Sequence, residues 1–317
     1  MFQTPISLHV FNRPETTKKL FNEIKRIRPQ KLFITADGPR DGMPNDLIKC
    51  KEVRKIINEI DWDCELHTNF SEINKGAFKS TSDGISWVFK YVDRAIILED
   101  DCIPHVSFFT FCQELLDYYE NDTRIALISG NNFQLNNNTQ DSYYFSRYTH
   151  IWGWATWKRT WDQVDFSMKD WPEYKRINGL KSSFSQKKAI KYWAEEIFQE
   201  MYDKKRKPHW DFLLSLSSYM NNTLTILPNE NLVSNIGFGP DANITTTKTK
   251  FHSLEAKTMI FPLQHPKFIS RFVAADEFTE KTKFSGTSSW LRKISRKYMP
   301  VIIWNFLKKT KYKYKAK

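Results

Sequence analysis

Strand-like runs alternate with amphipathic helical stretches through residues 1–120, and that alternation limits the possible folds more than any other feature of the chain. Ile6–Phe11 has the pattern of a buried strand and is stopped by Asn12-Arg13-Pro14. A helix is expected from Glu15 or Thr16 to Ile27, with Leu20, Phe21, Ile24 and Ile27 at helical spacing. Lys31–Ala36 reads as a second strand, cut by Asp37-Gly38-Pro39. Asp46–Ile60 reads as a helix, Cys64–Thr68 as a short strand, Gly84–Tyr91 as a helix, Arg94–Leu98 as a strand and Ser107–Tyr119 as a helix. Such an order predicts an α/β fold with a mostly parallel sheet and helices on both faces. Ligands of these sheets bind beyond the C-terminal ends of the strands.

The sharpest chemical signal lies at one such end. Ile96-Ile97-Leu98 runs directly into Glu99-Asp100-Asp101. Unpaired carboxylates at the mouth of a sheet repel one another, and each buried charge costs several kcal/mol. A hard divalent cation, Mn²⁺ or Mg²⁺, removes the conflict, because it prefers carboxylate oxygens and shares its other positions with water and diphosphate. It also neutralises charge on a departing nucleoside diphosphate. The competing reading is a solvated acidic turn.

In this order and spacing several segments resemble the GT-A glycosyltransferases. Leu98-Glu99-Asp100-Asp101, followed by Pro104, Phe108 and Phe109, resembles their acidic metal motif. It is most similar to the version in the N-acetylglucosaminyltransferase I group and in bacterial haemolysin-like sugar transferases. His9-Val10-Phe11-Asn12-Arg13-Pro14 resembles the first-strand motif, and Asp37-Gly38-Pro39-Arg40 the second-strand end that faces the base. Asn74-Lys75-Gly76 with Gly84-Ile85-Ser86-Trp87 resembles the segment leading into the acidic motif. The likeness covers roughly residues 5–250 and implies a GT-A, Rossmann-like sheet and an inverting transfer. It further implies that Asp101 binds the metal and that Glu99 and Asp100 lie near ribose and sugar. By the same likeness Phe11, Asn12, Arg13, Asp37, Asn74, Lys75 and Gly76 belong to the donor side. Taken alone, Arg13 fits a surface salt bridge equally well, Asp37-Gly38 a plain turn, and Asn74-Lys75-Gly76 another turn.

An inverting transfer needs a base that takes the acceptor proton. His209-Trp210-Asp211 precedes the apolar run Phe212–Met220, and the resemblance assigns the base to Asp211, with Trp210 beside it on the acceptor side. An Asp ahead of a helical run is also a good N-cap, and both roles fit one residue. Glu195 and Glu196 are weaker candidates on an amphipathic helix. Trp152-Gly153-Trp154-Ala155-Thr156-Trp157, with Trp161, is dense in indoles that stack on sugar faces. Most of these are expected in the core, with Trp152 or Trp154 reaching the acceptor. Asn231–Gly239 and Asp241 resemble a late motif of the family, in which relatives carry a His where this chain has Ile244; Lys248 and His252 stand nearby. Asn229–Thr249 is expected to be a loop that closes over the donor.

The net charge of +12 comes mainly from a tail: Ser288 to Lys317 holds ten Lys or Arg and no acid, which leaves the preceding residues nearly neutral. A nucleic-acid binder spreads its charge over a folded face, so no nucleic-acid partner is expected. Trp290–Lys317 is basic and amphipathic and suits the surface of an anionic membrane; a helix packed on the body with a loose basic end suits it as well. Cys50, Cys64, Cys102 and Cys112 lack metal-ligand spacing and read as reduced thiols. Met1–Pro5 leads straight into the first strand without a signal pattern, and no run reaches the roughly 20 apolar residues of a membrane span. A cytoplasmic enzyme, peripheral on the inner face of the membrane, is therefore expected. Residues 1–120 form the expected nucleotide-sugar half, 121–255 the acceptor half, and 256–317 a C-terminal extension. The substrates expected are a nucleotide-sugar donor, UDP-linked first, and a glycan or lipid-linked acceptor of a bacterial surface polysaccharide. The rivals are a sugar-phosphate nucleotidyltransferase and a non-catalytic basic membrane-binding protein.

Overall fold

The computed structural model describes residues 2–134, 139–237, 251 and 254–284. Strand β1 (Ile6–Val10) is buried along its whole length, as a central parallel strand must be. Its two polar residues meet each other, Ser7 Oγ lying 2.8 Å from His9 Nε2. Pro14 then opens helix α1 (Pro14–Ile27), where its missing N–H costs nothing. Thr17, Leu20, Phe21 and Ile24 form the buried stripe of α1, and Arg28 ends it in a left-handed conformation. Each fully buried Leu, Ile or Phe of this kind contributes roughly 1.5–3 kcal/mol.

The pattern repeats through β2 (Lys31–Ala36), α2 (Pro44–Arg54), β3 (Glu65–Phe70), α3 (Gly76–Val88) and β4 (Arg94–Glu99). A short β5 (Cys102–Pro104) leads into α4 (Val106–Tyr118), whose N-cap His105 accepts from Ser107 N at 3.2 Å. The later strands are β6 (Ile125–Ser129), β7 (Tyr143–Ser146), β8 (Trp154–Trp157), β9 (Leu224–Pro228) and β10 (Val233–Asn235). The main sheet has eight strands in the order β3-β2-β1-β4-β8-β6-β9-β7. Its first four are mutually parallel; β8 runs antiparallel to β4 and β6, β9 is parallel to β6, and β7 closes the edge antiparallel to β9. The α/β class with helices on both faces is as expected, with the parallel pairing concentrated in the N-terminal half.

Register puts Val10 opposite Ala36 and His9 opposite Glu99, so β1, β2 and β4 finish at one edge. The small sheet of β5 and β10 pairs Cys102 with Asn235 and brings the second half of the chain back over that edge. The two large core clusters draw on residues from either side of position 120. All four cysteines are free. Residues 254–284 pack on the body: Met259 and Leu263 join the core, and the helix Val273–Thr279 buries Ala275, Asp276 and Thr279. The tail Trp290–Lys317, together with Asp241, Ile244, Lys248 and His252, lies outside the described residues. Among the described residues no helix is long and apolar enough to cross a membrane.

Candidate active site

The acidic run sits where β4 ends, beside the end of β1. Arg13 reaches between two of its members: Nη1 lies 3.1 Å from Asp100 Oδ1 and 2.7 Å from Asp101 Oδ2. The Phe11 N–H donates to the second oxygen of Asp100 at 3.3 Å. Burial works against the Arg13 charge, but Asp100 and Asp101 more than compensate and raise its pKa. One guanidinium does not balance three carboxylates. Burial, then Asp101 and Asp100, push Glu99 up to about 8. Burial and then Asp101 push Asp100 up to about 7. The triplet is thus a set of carboxyls held largely out of water, two of which keep their protons more readily than a solvated acid does.

Asp101 is held from two sides. Asn235 Nδ2 donates to its Oδ1 at 3.2 Å. Gly237 passes so close that a Cβ there would stand 1.8 Å from Asp101 Oδ2. Residue 237 must therefore be glycine for the chain to lie against this carboxylate. Asn235 and Gly237 were legible only as part of the late motif, and their partner could not be read from it. Among the described residues no three His, Cys, Asp or Glu side chains converge as a metal-binding group.

The donor-side residues form a connected scaffold. Asp37 is buried, and its carboxylate is fully engaged. Oδ1 accepts from Gly38 N at 2.9 Å and Lys75 N at 2.8 Å; Oδ2 accepts from Asn74 Nδ2 and Gly76 N, both at 3.0 Å. Asp37 therefore caps the N-terminus of α3 from the neighbouring strand. This corrects one expectation, since α3 starts at Gly76 and not at Gly84, and it shows the Lys75 and Gly76 amides bonded to a carboxylate. Gly38 has no room for a side chain, since a Cβ would lie 2.4 Å from the Ile73 backbone. Asn12 donates to Asp46 Oδ1 at 2.7 Å, and Asp46 in turn takes Arg40 Nε at 2.6 Å. Arg40 lies over the Phe11 ring at 5.6 Å. Phe11, Asn12 and Asp37 thus fix the loop around Arg40, and Arg13 is the member turned to the acids.

On the opposite side, Asp211 lies in the first turn of the helix Trp210–Met220. The cap position belongs to His209, which makes no side-chain cap bond, so the expected N-cap role of Asp211 is not realised. Asp211 is close enough to Glu99 to help raise it. Burial raises the Asp211 pKa, against the pull of His209, of the Asp211 and Phe212 amides and of Lys283. Glu195 is exposed and paired with Lys175 at 3.1 Å, which leaves it outside the site.

The tryptophans divide sharply. Trp154 is 1% exposed and stacks on Trp210 at 5.8 Å; Trp210 is itself 6% exposed. Neither is available to an acceptor, because strand β8 points Trp154 into the core against Trp161 and Trp210. Trp152 is the half-buried one. It meets Phe133 edge-on at 5.0 Å. Gly153, at φ +65°, turns the chain between Trp152 and Trp154.

Lys283 is a residue that sequence pattern gave no sign of. The helical turn Glu280–Phe284 carries it to the site from far along the chain. Its Nζ stands 3.5 Å from the Phe133 ring centre and 5.0 Å from that of Trp152. Burial lowers its pKa to about 7, with Asp211 opposing.

No protein-family model matches the chain, and no curated protein sequence matches it. Among solved structures the chain is similar to residues 1–349 of S. aureus TarS, at 10% identity and a TM-score of 0.42 over 74% of this chain and 59% of that one. It is similar to the mannosyltransferase PcManGT from Pyrobaculum calidifontis, solved with GDP-Man and Mn²⁺, at 9% identity and 0.37 over 68% and 69%. It is similar to the inositol-1-phosphate CTP transferase from T. maritima at 11% identity and 0.37 over 74% and 89%. All three scores lie below 0.5; what the protein does has to be read from its own residues.

Proposed function

We propose that the protein is an inverting glycosyltransferase of the GT-A type, moving a sugar from a nucleoside diphosphate to an acceptor hydroxyl. The observation that carries this reading is the placement of two kinds of acid at one sheet edge. Glu99, Asp100 and Asp101 share a single guanidinium at the end of β4. Asp211, on another element, acts electrostatically on Glu99, and burial raises its own pKa. A half-buried carboxylate with a raised pKa is a better proton acceptor than a free one. Asp211 is the base in this reading, and Arg13 is placed to meet the diphosphate.

The reading includes a hard divalent cation, Mn²⁺ or Mg²⁺, held by Asp101 together with diphosphate and water, since no three acidic, His or Cys side chains of the described residues converge on one point. All its donors are oxygens, and burial first, then the neighbouring acids, lifts Glu99 and Asp100. Asp101 would hold the ion, and Arg13 and Asn235 compete for the same oxygens. Such an ion supplies charge neutralisation at the leaving diphosphate. Trp152 offers the acceptor a ring face. UDP-sugars are the first donors to try, with glycan or lipid-linked acceptors of a surface polysaccharide, and the basic tail is proposed to hold the enzyme at a membrane.

The test is a panel of nucleotide sugars incubated with purified protein, with Mn²⁺ or with chelator, and read for release of nucleoside diphosphate. Release from one donor, abolished by chelator, supports the reading. Release of pyrophosphate from a nucleoside triphosphate and a sugar phosphate would mark a nucleotidyltransferase instead.

A further inference from the structure

The Lys283 ammonium is half-buried, lies against two aromatic rings, and has no carboxylate within 4.0 Å among the described residues. It is not loosely placed. Phe284 stacks on Tyr148 at 5.0 Å, and Asp276, about two turns upstream, takes Arg271 Nε at 2.6 Å and Arg147 N at 3.0 Å. Phe284 also packs on Trp193 at 5.1 Å. These contacts hold Lys283 over Phe133 and beside Trp152. The carboxylate whose charge it feels is Asp211, not Asp100 or Asp101, so it serves the acceptor side. His150 lies 4.6 Å from Phe133, and Asn131 Oδ1 takes the backbone N–H of Trp152 at 3.2 Å, so both help to hold the two rings in place. A cation beside a half-buried indole is suited to a ring that carries an oxyanion.

We propose that Lys283 makes the acceptor subsite read charge, so that the acceptor is a sugar bearing a phosphate or carboxylate close to the attacked hydroxyl. Its ring lies on Trp152, its anion meets Lys283, and its hydroxyl is directed to Asp211. The anion returns to Lys283 the counter-charge that burial denies it. The proposal rests on the transferase reading with Asp211 as the base.

The experiment is a tryptophan-fluorescence titration of the full-length protein with glucose, glucose 6-phosphate and glucuronic acid. It is run on the wild type, Lys283→Gln and Lys283→Arg, with donor hydrolysis by the wild type measured in parallel. At least one charged sugar is expected to bind tenfold or more tightly than glucose. That preference disappears in Lys283→Gln and returns in Lys283→Arg, and the tighter ligand tells phosphate from carboxylate. Equal binding of charged and neutral sugars by the wild type overturns the proposal, and this arm stands even if a substitution unfolds the chain. A preference that survives in folded Lys283→Gln overturns it too. Charge preference without any donor hydrolysis removes the transferase reading and leaves the anion site.

Discussion

At Asp211 burial and local charge pull in opposite directions. Burial favours the protonated acid, while His209, two amides and Lys283 favour the carboxylate. Asp211→Asn keeps the shape and removes the basicity. The kcat for transfer is expected to fall by about 10²–10⁴-fold, with the donor KM changed little, in steady-state kinetics. Loss of donor binding instead would place Asp211 on the donor side. Arg13 presents the complementary case. Arg13→Met leaves Asp100 and Asp101, both largely buried, without their counter-charge. The expected cost is roughly 3 kcal/mol in urea unfolding at pH 8. At pH 5 the cost should be smaller, because Glu99 and Asp100, raised to about 8 and about 7, then carry protons. At this scale the acids and Arg13 were legible as types, since three carboxylates after an apolar strand demand compensation. That Arg13 itself spans two of them could not be read, because the partners lie 87 and 88 residues apart.

The helix α3 shows an element whose start is set by another element. Its first amides are satisfied by Asp37 at the end of β2, across 38 and 39 residues of chain. Local pattern therefore placed its start at Gly84, where the apolar spacing begins, and missed the earlier turns. Asp37→Ala should destabilise the protein by about 1–2 kcal/mol. Native-state hydrogen exchange should show the Lys75 and Gly76 amides exposed first; unchanged protection there would contradict the capping role. The strands and α1 were readable because each buries its own repeating pattern. The tryptophans were not, because indole spacing along a chain does not say which face of β8 points inward. Trp154 is core and Trp152 is not, although only Gly153 separates them.

Over the whole molecule, the segment 254–284 is the part that sequence pattern described least. It closes over the second half of the sheet and brings buried acids with it. Glu280 is 1% exposed; its Oε2 takes only a long 3.5 Å bond from Tyr148, and its Oε1 has no partner. Burial raises its pKa from 4.5 to about 7. A carboxyl with a raised folded pKa binds its proton better folded than unfolded. Its contribution is therefore full below about pH 4.5 and is lost as pH rises towards 7. Wild type should lose of order 2–3 kcal/mol more than Glu280→Gln between pH 4.5 and 7.5, measured by urea unfolding. Equal slopes for the two proteins would show that Glu280 is solvated. The segment also brings Lys283 over Phe133 and beside Trp152.

The central claim is that Asp101 and its neighbours gather a divalent cation and a nucleoside diphosphate at the edge of the sheet. Calorimetric titration of UDP and GDP into wild type and Asp101→Asn, each with and without Mn²⁺, addresses it directly. The account predicts binding of at least one of the two by the wild type with Mn²⁺, at least tenfold weaker binding without the ion, and no Mn²⁺ effect in Asp101→Asn. Nucleotide binding that is indifferent both to Mn²⁺ and to the substitution, or no binding of either nucleotide under any condition, would contradict it.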